Sequence, residues 1–337
     1  MKTQVSEFIQ AALDPQSKII AVIGVCKNAG KTTLLNWLLQ QAGEGMLGVL
    51  TTGRDGEDID LVTHEAKPKV VLPPNTMFST FAEEIEKNTP YLTVLEKLPF
   101  KAGGRNLWLV RTTRELQVEI VGPASAEAQL KLARHMLSLG AIKVFIDGSL
   151  DRKAISLQEG LDALILVISP AMGDERSILD EVKRLYELST LPTLDEQIPS
   201  DYISFRKEES NWEKTPFKSL LSREKEFIQY MDMVQDISAI YLLCPVTDKG
   251  FATLKSFLHQ FKGELVLRHP YLLHLSLSNL KWLRDNCRLK VLNPFKLKAI
   301  AVNSYSTGSR HMPSDQLRAM IRSNVKEIPI IDVKEII

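Results

Sequence analysis

Lys18-Ile-Ile-Ala-Val-Ile-Gly24-Val-Cys-Lys-Asn-Ala-Gly30-Lys31-Thr32-Thr33-Leu-Leu-Asn-Trp-Leu-Leu39 is the stretch on which the fold turns. The β-branched run Ile19–Ile23 ends in glycine, a compact loop follows, and Gly30-Lys31-Thr32 opens an amphipathic helix that runs to about Gln41. A bound triphosphate needs this order of strand, loop and helix. Backbone N–H groups along Lys27, Asn28, Ala29 and Gly30 would curl around a β-phosphate, and the helix N-terminus with Thr33 in its first turn adds positive potential. Lys31 would bridge the outer phosphates, and the Thr32 hydroxyl would hold Mg²⁺. The usual spacing G-x-x-x-x-G-K-[ST] asks for glycine at position 25, where this chain has Val25, with Gly24 one residue earlier. Gly24 is expected to supply the tight exit from the strand. The plainer alternative is a glycine-capped connection with no ligand.

Composition narrows the setting. The 337 residues allow one large or two ordinary domains, and 44% hydrophobic with 25% charged residues is ordinary globular usage. A formal net charge of +1 predicts no general attraction to nucleic acid or an anionic membrane. No apolar run reaches membrane-spanning length, and the start, MKTQVSEFIQAALDP, reads as an amphipathic helix and not a signal peptide. Cys26, Cys244 and Cys287 are odd in number and widely spaced, which points to a reducing cytoplasm. The six histidines show no ligand spacing for zinc.

Strand and helix signals alternate through the first half, which predicts an α/β fold with a mostly parallel sheet flanked by helices. Strands are expected at Ile19–Ile23, Leu47–Thr51, Ile142–Asp147, Asp162–Ile168 and Leu297–Val302, with a short final one at Ile328–Val333. Leu107–Arg111 and Gln117–Val121 read as a hairpin at an antiparallel edge, and Val70–Leu72 as a run stopped by Pro73-Pro74. Between about Thr190 and Lys218 the chain turns charged and rich in Ser and Pro, as a long excursion or lid would. The expected organisation is an N-terminal helix (1–17), a nucleotide-binding core (18–189), an excursion with a mixed insert (190–296), and a strand–helix–strand (297–337) that completes the core.

Three further stretches carry chemistry. Val144-Phe-Ile-Asp147-Gly148 is an apolar strand ending in an acid, and Asp147 is the candidate metal-shell carboxylate beside the loop. In Ser149-Leu-Asp151-Arg152-Lys153, the two cations would stabilise charge developing in phosphoryl transfer or else form a solvated run. Thr51-Thr52-Gly53-Arg54-Asp55-Gly56-Glu57-Asp58 follows the second strand at the carboxyl edge, where open α/β sheets bind ligands. There Arg54 offers a phosphate fork and Asp55 can orient water. Lys27 reaches the nucleotide of the same or a paired subunit, or points to solvent. Asn303 ends a late strand, and its amide can both donate to and accept from a purine.

Together, Gly30-Lys31-Thr32-Thr33, Asp55, Asp147, and Val302-Asn303 followed by a helix and Ile328-Pro329-Ile330 resemble one branch of P-loop NTPases. That branch contains dethiobiotin synthetase, the Min/Par ATPases and the nickel and molybdopterin accessory proteins. Lys27-Asn28-Ala29-Gly30-Lys31-Thr32-Thr33-Leu34 is especially similar to the loop of the molybdopterin-guanine dinucleotide accessory protein. The resemblance implies a base contact by Asn303, whereas Lys27 stands one place from the branch's signature lysine and does not inherit its role. The stretches 51–57 and 147–153 with the Val-Asn ending are also similar to accessory (reactivase) proteins of cobalamin-dependent aminomutases.

Guanine readers of this kind use N-K-x-D, and the nearest stretch here, Val246-Thr247-Asp248-Lys249-Gly250, has Asp and Lys in the wrong order. ATP is therefore expected over GTP. The first functional expectation is an accessory protein using Mg²⁺ and ATP hydrolysis to act on a partner enzyme, with a homodimer compatible with it. The alternative is an ATP-dependent small-molecule kinase or ligase of the dethiobiotin synthetase type, and a third is nucleotide binding without turnover.

Overall fold

The computed structural model describes residues 2–26, 29–51, 54–55, 70–123, 125–149, 160–208, 210–304 and 312–336. The chain divides into two units, Met1–Leu179 with Lys296–Ile337, and Asp180–Phe295. In the first unit, nine strands form one sheet among the described residues. They are β1 (Ile19–Gly24), β2 (Leu47–Thr51), β3 (Thr76–Thr80), β4 (Leu92–Ala102), β5 (Arg105–Thr112), β6 (Lys143–Ser149), β7 (Ala163–Ile168), β8 (Leu297–Val302) and β9 (Ile330–Asp332). Their order is β9-β8-β7-β1-β6-β2-β3-β5-β4. Every pair from β9 to β3 is parallel, and β5 and β4 add an antiparallel edge.

Burial on both faces explains the apolar strands. All residues of β1 and β7 are buried, as sheets covered by crossover helices require. On one face the helices Lys2–Ala12 and Lys31–Gln41 pack Phe8, Leu34, Leu35 and Leu38 against Ile20, Val22, Phe145, Ile165 and Val167. On the other lies the helix Ala126–Ser138, whose Met136 sits where a side chain on Gly48 would stand, 2.9 Å from that Cβ position. Two polar ties fix the start of β1: the Asp162 carboxylate accepts from the N–H groups of Lys18 and Ile19, each at 2.9 Å. The buried Lys143 ammonium donates to the Asp14 and Ser17 carbonyls at 2.7 and 2.8 Å. Burial, then the nearby Lys18 charge, lowers its pKa.

One expectation at the antiparallel edge needs correction. The hairpin is β4 with β5, turning at Gly103-Gly104, and Leu107–Arg111 belongs to its second arm. Both glycines have positive φ, 53° and 80°, as the tight two-residue turns suited to strand twist demand. Leu116–Gln117 instead pairs with Val71–Leu72, and Ile120–Val121 with Arg54–Asp55. The strand β3 escapes hydropathy because it is half polar and yet buried. Its Ser79 and Thr80 hydroxyls donate to the Val121 and Glu119 carbonyls, both at 2.7 Å.

Residues 180–295 have their own five-stranded sheet, in the order Glu213–Lys214, Ser204–Lys207, Ile237–Leu242, Glu264–Leu267, Arg288–Val291. The last three are parallel and joined through the helices Asp248–Gln260 and Leu277–Asn286. Two of its strands lie within the stretch read as an excursion. Phe227 anchors its core, with Phe217 and Phe257 rings 5.8 and 6.1 Å away.

Candidate functional site

Parallel strands all end on one edge, so the sheet order decides which loops become neighbours. The strand β1 lies between β6 and β7, with Gly24 opposite Ser149 on one side and Val167 on the other. Asp147 stands opposite Val22 and Thr51. Side chains alternate across a strand, so Asp147 shares the face of Phe145 and Val22, on which the helix Lys31–Gln41 packs. It is 7% exposed. A carboxylate buried this far needs a cation or hydrogen-bond donors around it.

Ala29 and Lys31 lie back against the end of β1. A side chain on Gly24 would meet the Cγ and Cδ of Lys31 at 2.9 Å and the Cβ of Ala29 at 3.2 Å. The stem of Lys31 therefore crosses Gly24, which is why glycine is needed at 24. The Val25 N–H still donates to the Val167 carbonyl at 3.1 Å. Ala29 is wholly buried in the apolar core, so only its backbone can serve a ligand. Gly30 is left-handed (φ 96°, ψ 15°) and begins the helix with no side-chain cap and no acid in the first turn. Lys31, Thr32 and Thr33 are partly exposed on that turn. Cys26 lies near Lys31; burial raises its thiol pKa, and the Lys31 charge offsets this in part.

Asn303 follows β8, anchored by its N–H to the Ile168 carbonyl at 2.8 Å. Its side chain reaches Gly30: a Cβ there would lie 3.0 Å from Asn303 Nδ2 and 3.2 Å from its Cβ and Cγ. The backbone of Asp55 pairs with Ile120. The segment it pairs with is well held, by Ser79, by Thr80 and by Gln129 Nε2 donating to the Pro123 carbonyl at 2.8 Å. Gly122 was missed from sequence. A Cβ on it would fall 1.9 Å from the Thr51 carbonyl oxygen, so only glycine lets this segment cross the end of β2. The dipeptide Gly122-Pro123 was its one local signal.

Lys31, Asp147 and Asn303 are thus gathered on one edge, with Ala29, Gly30, Thr32 and Thr33 in the same turn. Lys27, Asn28, Thr52, Gly53, Gly56, Glu57, Asp58, Asp151, Arg152 and Lys153 lie outside the described residues. Asp248, the acid of the out-of-order guanine motif, lies in the second unit. Its carboxylate accepts from the Ser276 N–H and hydroxyl at 3.0 and 3.1 Å and from the Asn279 amide at 2.7 Å. Among the described residues no helix is long and apolar enough to cross a membrane.

No protein-family model and no curated protein matches the chain. Among solved structures, the chimerical protein CapA2B2 is similar at 13% identity over 52% of this chain and 72% of that chain. The TM-score of 0.28 is too low to carry an argument.

Proposed function

We propose that the chain is a P-loop nucleoside triphosphatase that uses Mg²⁺ and, by preference, ATP to act on a partner enzyme. One observation carries the reading: the Lys31 stem lies across Gly24 while Gly30 turns left-handed into an uncapped helix. Backbone N–H groups at such a turn converge on one point and favour an anion there. Lys31 then reaches the outer phosphates and Thr32 offers its hydroxyl. The hard oxygen donors of Thr32 and Asp147 suit Mg²⁺, which when bound would neutralise charge on the β- and γ-phosphate oxygens. Asp55 is the candidate to orient the attacking water, and Asn303 to meet the base.

ATP is preferred because Val246-Thr247-Asp248-Lys249-Gly250 has Asp and Lys in the wrong order for a guanine reader, and Asp248 already accepts from Ser276 and Asn279. The partner role rests on the sequence: the 52–58 loop after β2, the charged 190–218 stretch, and the likeness to aminomutase accessory proteins. Phosphate release from ATP should be slow, Mg²⁺-dependent and stimulated by a partner, with a cobalamin-dependent aminomutase the first to try. Asp147→Asn should keep nucleotide binding and lose hydrolysis by about 100-fold or more, because metal placement counts most in the transition state. Unchanged hydrolysis in that variant would remove Asp147 from the mechanism. Turnover seen only with a small-molecule acceptor would favour a kinase or ligase.

A further inference from the structure

The Asn303 side chain does more in this fold than stand at the end of a strand. Its strand, β8, is separated from β1 by β7, yet its carboxamide closes the space beside the Gly30 Cα, at 3.0–3.2 Å from a Cβ position there. Gly30 is where the loop becomes a helix: its φ is 96°, and its carbonyl accepts the first helical hydrogen bond, from the Leu34 N–H at 3.1 Å. A left-handed glycine has more freedom than other residues and loses more on ordering. A side chain packed against it, itself anchored through the Asn303 N–H to Ile168, restricts that freedom before any ligand arrives.

We infer that Asn303 is a positioning residue for the phosphate cradle, holding the left-handed turn at Gly30 and so setting affinity for the triphosphate itself, apart from any contact with the base. The inference rests on the loop binding a triphosphate, as proposed above. It gives β8 a part in holding the turn that opens the helix Lys31–Gln41. The physical basis is preorganisation: ordering the turn in advance lowers what binding must supply.

Magnesium tripolyphosphate, which has phosphates and no base, separates the two roles. Its binding and that of Mg-ATP would be measured by calorimetry for the wild type, Asn303→Ala and Asn303→Leu. Asn303→Ala removes the carboxamide and leaves only the Cβ beside Gly30, and should weaken tripolyphosphate about tenfold. Asn303→Leu keeps similar bulk without an amide, and should return tripolyphosphate affinity to within about threefold of wild type while ATP stays weaker. Should Asn303→Ala melt well below the wild type, Asn303→Ser serves in its place. Wild-type tripolyphosphate affinity in the folded truncation variant would overturn the inference and leave Asn303 with the base alone. Failure of the wild type to bind either ligand would instead overturn the nucleotide reading beneath it.

Discussion

Lys31 and Gly24 depend on each other through 2.9 Å of space. The lysine stem can cross the strand end only because position 24 has no side chain. Lys31→Ala is therefore expected to lower nucleotide affinity by about 100-fold or more. Because Lys31 is partly exposed, the melting temperature should hardly move. Retained micromolar binding by calorimetry would refute the assignment. The spacing of Gly30, Lys31 and Thr32 was plain in the sequence. The need for glycine at 24 was not, since it depends on where a long side chain lies after folding. Burial likewise governs the thiols: it outweighs the Lys31 charge beside Cys26 and raises that pKa, and it raises Cys287 to about 11.

At the scale of elements, length and hydropathy located the fully buried strands well and the amphipathic or polar ones poorly. The helix predicted from Lys31 to about Gln41 is observed as Lys31–Gln41, because its apolar spacing matches one helical face. By contrast, β3 hides buried hydroxyls whose partners, the Val121 and Glu119 carbonyls, are far along the chain. Alternation at 107–121 suggests a hairpin there, but the chain reverses at Gly103-Gly104, where two glycines supply the turn. Those glycines now make a prediction. Gly104→Ala forces an L-residue into φ 80°, and should destabilise the first unit by ~1–2 kcal/mol. Gly103→Ala, at φ 53°, should cost about the same or less, since that angle lies in the left-handed region that L-residues visit most readily. Urea unfolding followed by near-ultraviolet dichroism would measure both, and two neutral substitutions would mean that the turn is not held in this form.

On the scale of the whole molecule, the two units give the chain separate sources of stability. In the second unit His269 is 2% exposed, and its Nδ1 accepts from the Tyr271 N–H at 3.2 Å. Burial, reinforced by the Arg268 charge, lowers its pKa from 6.5 to about 4. The unfolded chain takes up this proton below about pH 6.5 and the folded chain only below about pH 4. The contribution is thus complete above pH 6.5 and declines as pH falls towards 4, by up to ~3 kcal/mol. His269→Asn keeps a capping acceptor without the titration, so between pH 7.5 and 4.5 it should lose less stability than the wild type in urea. Equal losses would show that His269 is not the group responsible. The sequence by itself determined the alternating α/β pattern, the helix that opens at Lys31 after Gly30 and the strand that carries Asp147, because spacing, glycine and apolar runs act locally. Only the tertiary structure decided that β1 lies between β6 and β7, that Asn303 leans on Gly30, and that residues 180–295 form a unit with their own sheet. These depend on register and on packing between distant segments, where a contact's energy belongs to two stretches at once and neither stretch alone can specify it.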